Sequence, residues 1–357
     1  MKKCKKCIII EGYPGVTFNE EGICNLCTNY EPQELLGENK FIELFNSLKQ
    51  EGKYDCVVPL SGGKDSCFIL YYLKKKCNLN PVAINYDSGM QAEIAIRNQK
   101  NVCKALNIPL IIKRADYRIQ AERIKAMIRY GERLGRFEVG CGGCVPILQT
   151  VAIGYAQEHN IPIVVDGASL KEYYPLKQYD TIERAIRFFF RCKFYNLDII
   201  KYISFFKYLY YDRKLNKQMK LYSVKIPPPD YPYSFKSGNV TMIRFSSFIE
   251  WPENKIVEVL KTEVNWEHPS VQDKRFDCLL HCMGEHACIQ KDGISSNAVI
   301  YSQMIREGLL TRDDAEKKEL GPYYFLYPFF PGSLFECGEI SHRCTVFGFP
   351  GDQSVKS

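Results

Sequence analysis

Two features of this sequence combine residue types and spacings that can do chemistry. One is the hexapeptide Ser61-Gly62-Gly63-Lys64-Asp65-Ser66, and the other is a series of cysteine pairs. The hexapeptide stands between an apolar run, CVVPL, and a helical pattern, DSCFILYYLKKK. Adjacent glycines let the backbone turn tightly and aim several N–H groups inward, and a helix that follows adds its positive N-terminal end. Lys64 supplies a full charge, and Ser61 and Ser66 supply hydroxyls. Together these make a pocket for a polyphosphate. The Walker A spacing G-x-x-x-x-G-K-[ST] is absent. The plain alternative, a strand-to-helix turn with an Asp or Ser cap, does not account for two glycines, a lysine and an aspartate at one strand end.

The chain has 16 cysteines. Cys4-x-x-Cys7 and Cys24-x-x-Cys27 flank a turn-forming stretch, EGYPGVTFNEEGI. Two such pairs bring four thiolates round one ion, which fits tetrahedral zinc. Four cysteines leave no open position, so the zinc is structural rather than catalytic. The alternative is four unrelated thiols in a flexible arm. Cys141-Gly142-Gly143-Cys144 opens a helical pattern, where a helix N-terminus favours thiolate. Three uses compete there: ligands of a [4Fe-4S] cluster with a third cysteine, a persulfide resolved as a disulfide, or a second zinc. A glycine turn with incidental thiols is the bland reading. Further on, FDCLLHCMGEHAC supplies Cys278, Cys282 and Cys288, with His281 and His286. Cys278 and Cys282 can share one helix face and complete a site with Cys141 and Cys144, Cys282 being the third iron–sulfur ligand; core packing is the rival fate. Cys56, Cys67, Cys77, Cys103 and Cys192 fall in core-like segments and receive no role.

The elements that must position these groups read as an α/β fold. YDCVVPL, PVAINYD, IPLIIKR and IPIVVDG are short apolar runs expected to be strands, and VTMIRFSSF is a late one. Helical patterns alternate with them: one after a linker at 31–38, then DSCFILYYLKKK. Next come a face made by Ala92, Ala95, Gln99, Val102, Cys103 and Leu106, and another marked by Val145, Leu148, Val151, Ala152 and Tyr155. Such alternation predicts a doubly wound parallel sheet covered on both faces, with ligands at the carboxyl ends of the strands. The expected organisation is a zinc knuckle at 1–30, an ATP-binding α/β domain at 40–180, a basic-aromatic helical insertion at 181–235 and a C-terminal catalytic extension at 236–357.

The composition, 46% hydrophobic and 25% charged over 357 residues, is that of a globular protein. Its N-terminus is too short in apolar residues for a signal peptide, and IIKYISFFKYLYY is broken by Lys201 and Lys207, so no membrane span is expected. Clustered thiols then point to a reducing, cytoplasmic setting. The net charge of +7 permits a nucleic acid partner without requiring one. Between Arg184 and Lys225 lie 11 Lys/Arg against Asp198 and Asp212, interleaved with aromatics. Packing of a helical insertion on the core or in a homodimer is the favoured reading, with RNA binding and a membrane surface as competitors.

SGGKDS after a buried strand resembles the PP-loop of the ATP pyrophosphatase superfamily, also called the adenine nucleotide α-hydrolase-like fold. The resemblance implies that Ser61 to Ser66 grip the β- and γ-phosphates of ATP, with Lys64 and Asp65 catalytic and Asp65 near a Mg2+ ion. It implies that a substrate oxygen attacks the α-phosphate, that pyrophosphate leaves, and that a nitrogen or sulfur nucleophile displaces AMP. NYDSGM stands where the superfamily holds adenosine, which makes Asn85, Tyr86 and Asp87 nucleotide candidates, although Asp87 also suits a turn. The paired cysteines, FIEWPENKIVEVLKTEVNWEHP (248–269) and REGLLTRDDAEKKEL look like the N-acetyl sugar amidotransferases of surface-polysaccharide pathways. That branch makes an amidine from an acetamido group with ammonia from a partner glutaminase. The chain departs from it in CIIIEGYPG and in the cysteines at 278 to 288. A CxxC plus a distal cysteine is similar to PP-loop sulfur-transfer enzymes, which thiolate bases or build thioamides with sulfur from a donor. The incoming atom is therefore open between sulfur, which soft thiolates favour, and nitrogen.

Overall fold

The computed structural model describes residues 2–13, 15–32, 34–134, 145–168, 199–221, 224–225, 232–249, 253–268, 278, 289 and 293–319. Cys141, Cys144, Cys192, Cys282 and Cys288, the histidines at 281 and 286, and most of the proline-rich run at 226–233 lie outside these residues.

The described strands form one mixed sheet of six: β1 (Cys56–Pro59), β2 (Pro81–Asp87), β3 (Leu110–Arg114), β4 (Ile163–Asp166), β5 (Ser234–Ser237) and β6 (Val240–Arg244). Their order is β3-β2-β1-β4-β6-β5. Neighbours are parallel except for the β5–β6 pair. β1, β2 and β4 are almost wholly buried, as expected of strands covered on two sides. β5 has no apolar run to announce it; it is a half-exposed edge strand that returns through Gly238 to pair with β6.

Alternate residues of the strands feed two cores. Cys56, Val58, Ala83, Ile163, Val165 and Ile243 point to one face. That face is covered by α2 (Glu38–Leu48), α3 (Lys64–Tyr71), α4 (Glu93–Leu106) and α8 (Glu253–Val264). Val57, Val82, Ile84, Val164 and Met242 point to the other, where α6 (Val145–Glu158) supplies Val151, Ala152 and Tyr155 and α7 (Ile199–Gln218) supplies Leu215. The remaining α-helices among the described residues are the short α1 (Asn25–Thr28), α5 (Tyr117–Leu134), α9 (Ser296–Arg306) and α10 (Arg312–Glu319). Buried Arg123 of α5 pairs with Asp212 of α7 at 2.7 Å, which fixes the described part of the basic-aromatic segment against the α/β body. No helix among the described residues is long and apolar enough to cross a membrane.

A third core joins the chain's two ends. Ile8, Ile9, Ile10 and Leu26 pack with Ala298, Val299, Tyr301 and Ala315 of α9 and α10. Arg312 donates to the carbonyls of Cys4 and Lys5 at 2.8 and 2.7 Å. Ser295 caps α9 by accepting from the Ala298 amide, and Glu319 of α10 in turn accepts from the Ser295 hydroxyl.

Candidate functional site

The hexapeptide links the end of β1 to the start of α3, at the carboxyl edge of the sheet and beside β4. From β1 the chain leaves through α3 on one face, and it enters β4 from α6 on the other. In open α/β sheets, ligands bind at the carboxyl ends of strands where neighbouring connections diverge in this way.

The loop is held from outside by its carbonyls. Asn85 Nδ2 donates to Leu60 O at 2.7 Å, Gln99 Nε2 to Ser61 O at 2.8 Å, and Trp266 Nε1 to Gly62 O at 3.1 Å. These donors come from β2, from α4 and from the segment after α8. A turn whose carbonyls are tied outward presents its amides on the opposite side, where α3 adds its N-terminal end. Gly62 has φ +92°, and a Cβ there would stand 2.3 Å from Ala95 O. Only glycine fits both the backbone conformation and the approach of α4. Inside the loop, Gly63 N donates to Ser61 Oγ at 3.2 Å, and the Ser61 and Ser66 hydroxyls lie 3.3 Å apart. Lys64 Nζ lies 3.0 Å from Asp65 Oδ1, with both side chains roughly a third exposed. This is a labile surface pair that a stronger anion can displace.

Asp87 ends β2. Its carboxylate accepts from the Gly89 amide at 2.9 Å and the Tyr117 hydroxyl at 2.8 Å, and it pairs with Arg114 at 3.3 Å. It is therefore engaged in building the turn after the strand. Gln91, which donates to Tyr86 O, forms an antiparallel bridge with Cys278. One of the downstream cysteines thus sits at the carboxyl edge of the sheet. Buried Asp166, at the end of β4 and bonded to Gln149 at 2.9 Å, adds a carboxylate to that edge. The sequence reading missed it because it looks like an ordinary strand end. It also missed Gln99 and Trp266 as supports of the loop. Gln99 was legible only as part of a helix face, and Trp266 only as part of a segment with no stated contact.

The N-terminal cysteines form a second site. Sγ atoms of Cys4, Cys7, Cys24 and Cys27 all lie within 4.8 Å of one another. Cys7 and Cys24 are 3.7 Å apart, and Cys4 and Cys27 are 4.0 Å apart. Tetrahedral sulfur ligands about 2.3 Å from a zinc ion stand about 3.8 Å from one another, so four sulfurs at these spacings can hold one metal ion such as zinc. Cys4 Sγ also accepts from the amides of Lys6, Cys7 and Cys24 at 3.4, 3.5 and 3.3 Å. The Cys24 and Cys27 hydrogen bonds hold the Cys7 thiol far below its ordinary range, while the same group of contacts pushes Cys24 far up. Without a metal the cluster keeps protons that a bound cation would displace.

No family model matches the chain. The chain is similar to an uncharacterized protein of Methanocaldococcus jannaschii, with 38% identity over 119 residues. The match covers 32% of this chain and 40% of the relative, so the chain spans less than half of that protein.

Proposed function

We propose that the chain is an ATP-dependent adenylating enzyme of the PP-loop type on a doubly wound sheet. Mg·ATP docks its β- and γ-phosphates in the Ser61–Ser66 loop. A carbonyl or amide oxygen of the acceptor attacks the α-phosphate, pyrophosphate leaves, and the oxygen departs with AMP when a second nucleophile arrives. The observation that supports this reading above others is the loop's construction, with three consecutive carbonyls, Leu60 to Gly62, tied outward at the mouth of α3. Lys64 exchanges Asp65 for phosphate oxygens, and Asp65 is then available to the magnesium ion. Electrostatic positioning of this kind carries most of the work in phosphoryl chemistry.

Sulfur is the incoming atom we favour, because Cys278 reaches the same sheet edge as the loop. A second reading has ammonia from a partner glutaminase converting an N-acetyl sugar to an amidine. It draws on Trp266, which belongs to the amidotransferase-like stretch and bonds the loop directly. Under either reading Cys4, Cys7, Cys24 and Cys27 hold a structural zinc.

The decisive experiment follows the nucleotide products. Mg·ATP labelled at the α-phosphate is incubated with protein, with pools of N-acetyl sugars or RNA, and with sulfide as the incoming nucleophile. AMP with stoichiometric pyrophosphate is the expected result, with 18O from a labelled acceptor appearing in AMP. ADP as the product, or no binding of Mg·ATP, would overturn the adenylation reading. Production of AMP only when ammonia is supplied would move the assignment to nitrogen.

A further inference from the structure

The four-cysteine cluster is not built by the N-terminal segment alone. Helix α9 lies against it and turns one face toward the sulfurs. Arg306 Nη1 stands 3.8 Å from Cys7 Sγ and 3.9 Å from Cys27 Sγ. The guanidinium is aimed by Gln303, whose Oε1 accepts from Nε at 3.0 Å and from Nη2 at 2.8 Å.

The charge balance explains why these residues are there. Four thiolates around a divalent cation leave two net negative charges, in a cluster where three of the four cysteines are buried. Backbone amides offset part of that charge, three of them at Cys4 and that of Ile9 at Cys7. Arg306 adds a full positive charge at the sulfurs of Cys7 and Cys27. A half-buried arginine beside neutral thiols has little reason to be favoured there, whereas one beside metal-bound thiolates does.

We infer that the metal clasps the two ends of the chain together: Arg306 of α9 is the outer partner of the N-terminal thiolates, and metal occupancy decides whether α9 and α10 stay docked. This rests on the metal reading of the four cysteines and is independent of the adenylation chemistry. The rest of the interface is an apolar core whose N-terminal half is carried by the metal-binding turns themselves: Ile8, Ile9 and Ile10 follow Cys7 directly and Leu26 lies between Cys24 and Cys27, with the Arg312 bonds to the Cys4 and Lys5 carbonyls and a Lys3–Glu316 pair at 3.8 Å beside it. The Arg312 acceptors are themselves carbonyls of the first metal-binding turn, so they move if that turn opens.

The test uses the full chain loaded with zinc. Zinc release to a chromophoric chelator is timed for the native chain and for Arg306→Ala and Arg306→Lys. Loss of an outer partner typically weakens metal binding about 10- to 100-fold. Arg306→Ala is expected to fall in that range, with Arg306→Lys recovering part of it because a point charge cannot span two sulfurs. In parallel, amide exchange is followed in the native chain before and after chelation. Residues 293–319 are expected to lose protection with the zinc, while β1, β2 and β4 keep theirs. Unchanged zinc retention in Arg306→Ala, or unchanged protection of 293–319 in the metal-free native chain, would overturn the proposal. The second measurement needs no substitution, so a variant that fails to fold does not shelter the idea. Loss of protection in the sheet as well would also count against it, because the clasp is local.

Discussion

Gly62 and Gly63 are adjacent and chemically identical, yet the structure gives them different work. Gly62 sits at φ +92° against the Ala95 carbonyl of α4, whereas a Cβ on Gly63 would meet only the Ser61 hydroxyl, at 3.3 Å. Gly62→Ala must strain the backbone, which costs about 1–3 kcal/mol, and push α4 away along with its Gln99 bond to Ser61. Gly63→Ala asks only a hydroxyl to shift. The expected outcome is a fall in thermal midpoint and at least a tenfold loss of Mg·ATP affinity for the first, and little change in stability for the second. Calorimetric titration and thermal unfolding of both variants check this. Equal stability losses would mean that close packing of α4 does not shape the loop. Lys64→Ala has the opposite profile. Its ion pair with Asp65 is partly exposed and contributes little to stability, so the variant is expected to fold normally and to release no pyrophosphate. Normal pyrophosphate release from Lys64→Ala would remove the lysine from the chemistry.

At the scale of elements, the segment after α8 acts as a strap across α3 and α4. Asn98 exchanges hydrogen bonds with the backbone of Glu267 at 3.0 and 2.7 Å, Asn101 donates to Asn265 O, and buried Trp266 reaches Gly62 O. Trp266→Phe keeps the ring and removes the donor. It is expected to cost about 1 kcal/mol of stability and to weaken Mg·ATP binding without altering which products form. A stability loss with unchanged affinity would leave Trp266 a packing residue only. Much of this architecture was legible beforehand. A parallel strand buried on both sides must be a continuous apolar run, so PVAINYD announced β2 residue for residue. The helix face through Ala95, Gln99, Val102, Cys103 and Leu106 is the buried face of α4. The cysteine spacing likewise announced the gathering of Cys4, Cys7, Cys24 and Cys27 into one cluster that can hold a metal ion. Contacts between distant elements were not legible. SFKS has no pattern to mark it as β5, because an edge strand is half exposed and takes its order from β6. Arg306 and Cys7 are 299 residues apart, and nothing in the period of a helix says which surface its arginine will meet.

For the molecule as a whole, the described cysteines divide by what surrounds them. Four are gathered closely enough to hold one metal ion. Cys56, Cys67 and Cys103 instead lie in the core on one face of the sheet, with Cys77 packed at its margin. Burial raises the thiol of each, pushing Cys103 up to about 12 and Cys77, with help from Glu38, up to about 11. An unfolded chain would titrate these groups near the ordinary thiol value of about 8.5. The folded state therefore binds more protons than the unfolded state at alkaline pH, and its stability falls as pH rises. The contribution of Cys103 is whole below about 8.5 and is lost progressively as pH climbs toward 12. Because the buried thiols share one core with α3 and α4, that loss reaches the elements that frame the Ser61–Ser66 loop. Urea unfolding at a series of pH values from 8 upward is expected to show a declining midpoint. Cys103→Ala should lower the midpoint at pH 8, because a cavity forms, and should flatten its decline. A Cys103→Ala series that runs parallel to the native one would assign the alkaline loss to other groups and leave this thiol without a part in it.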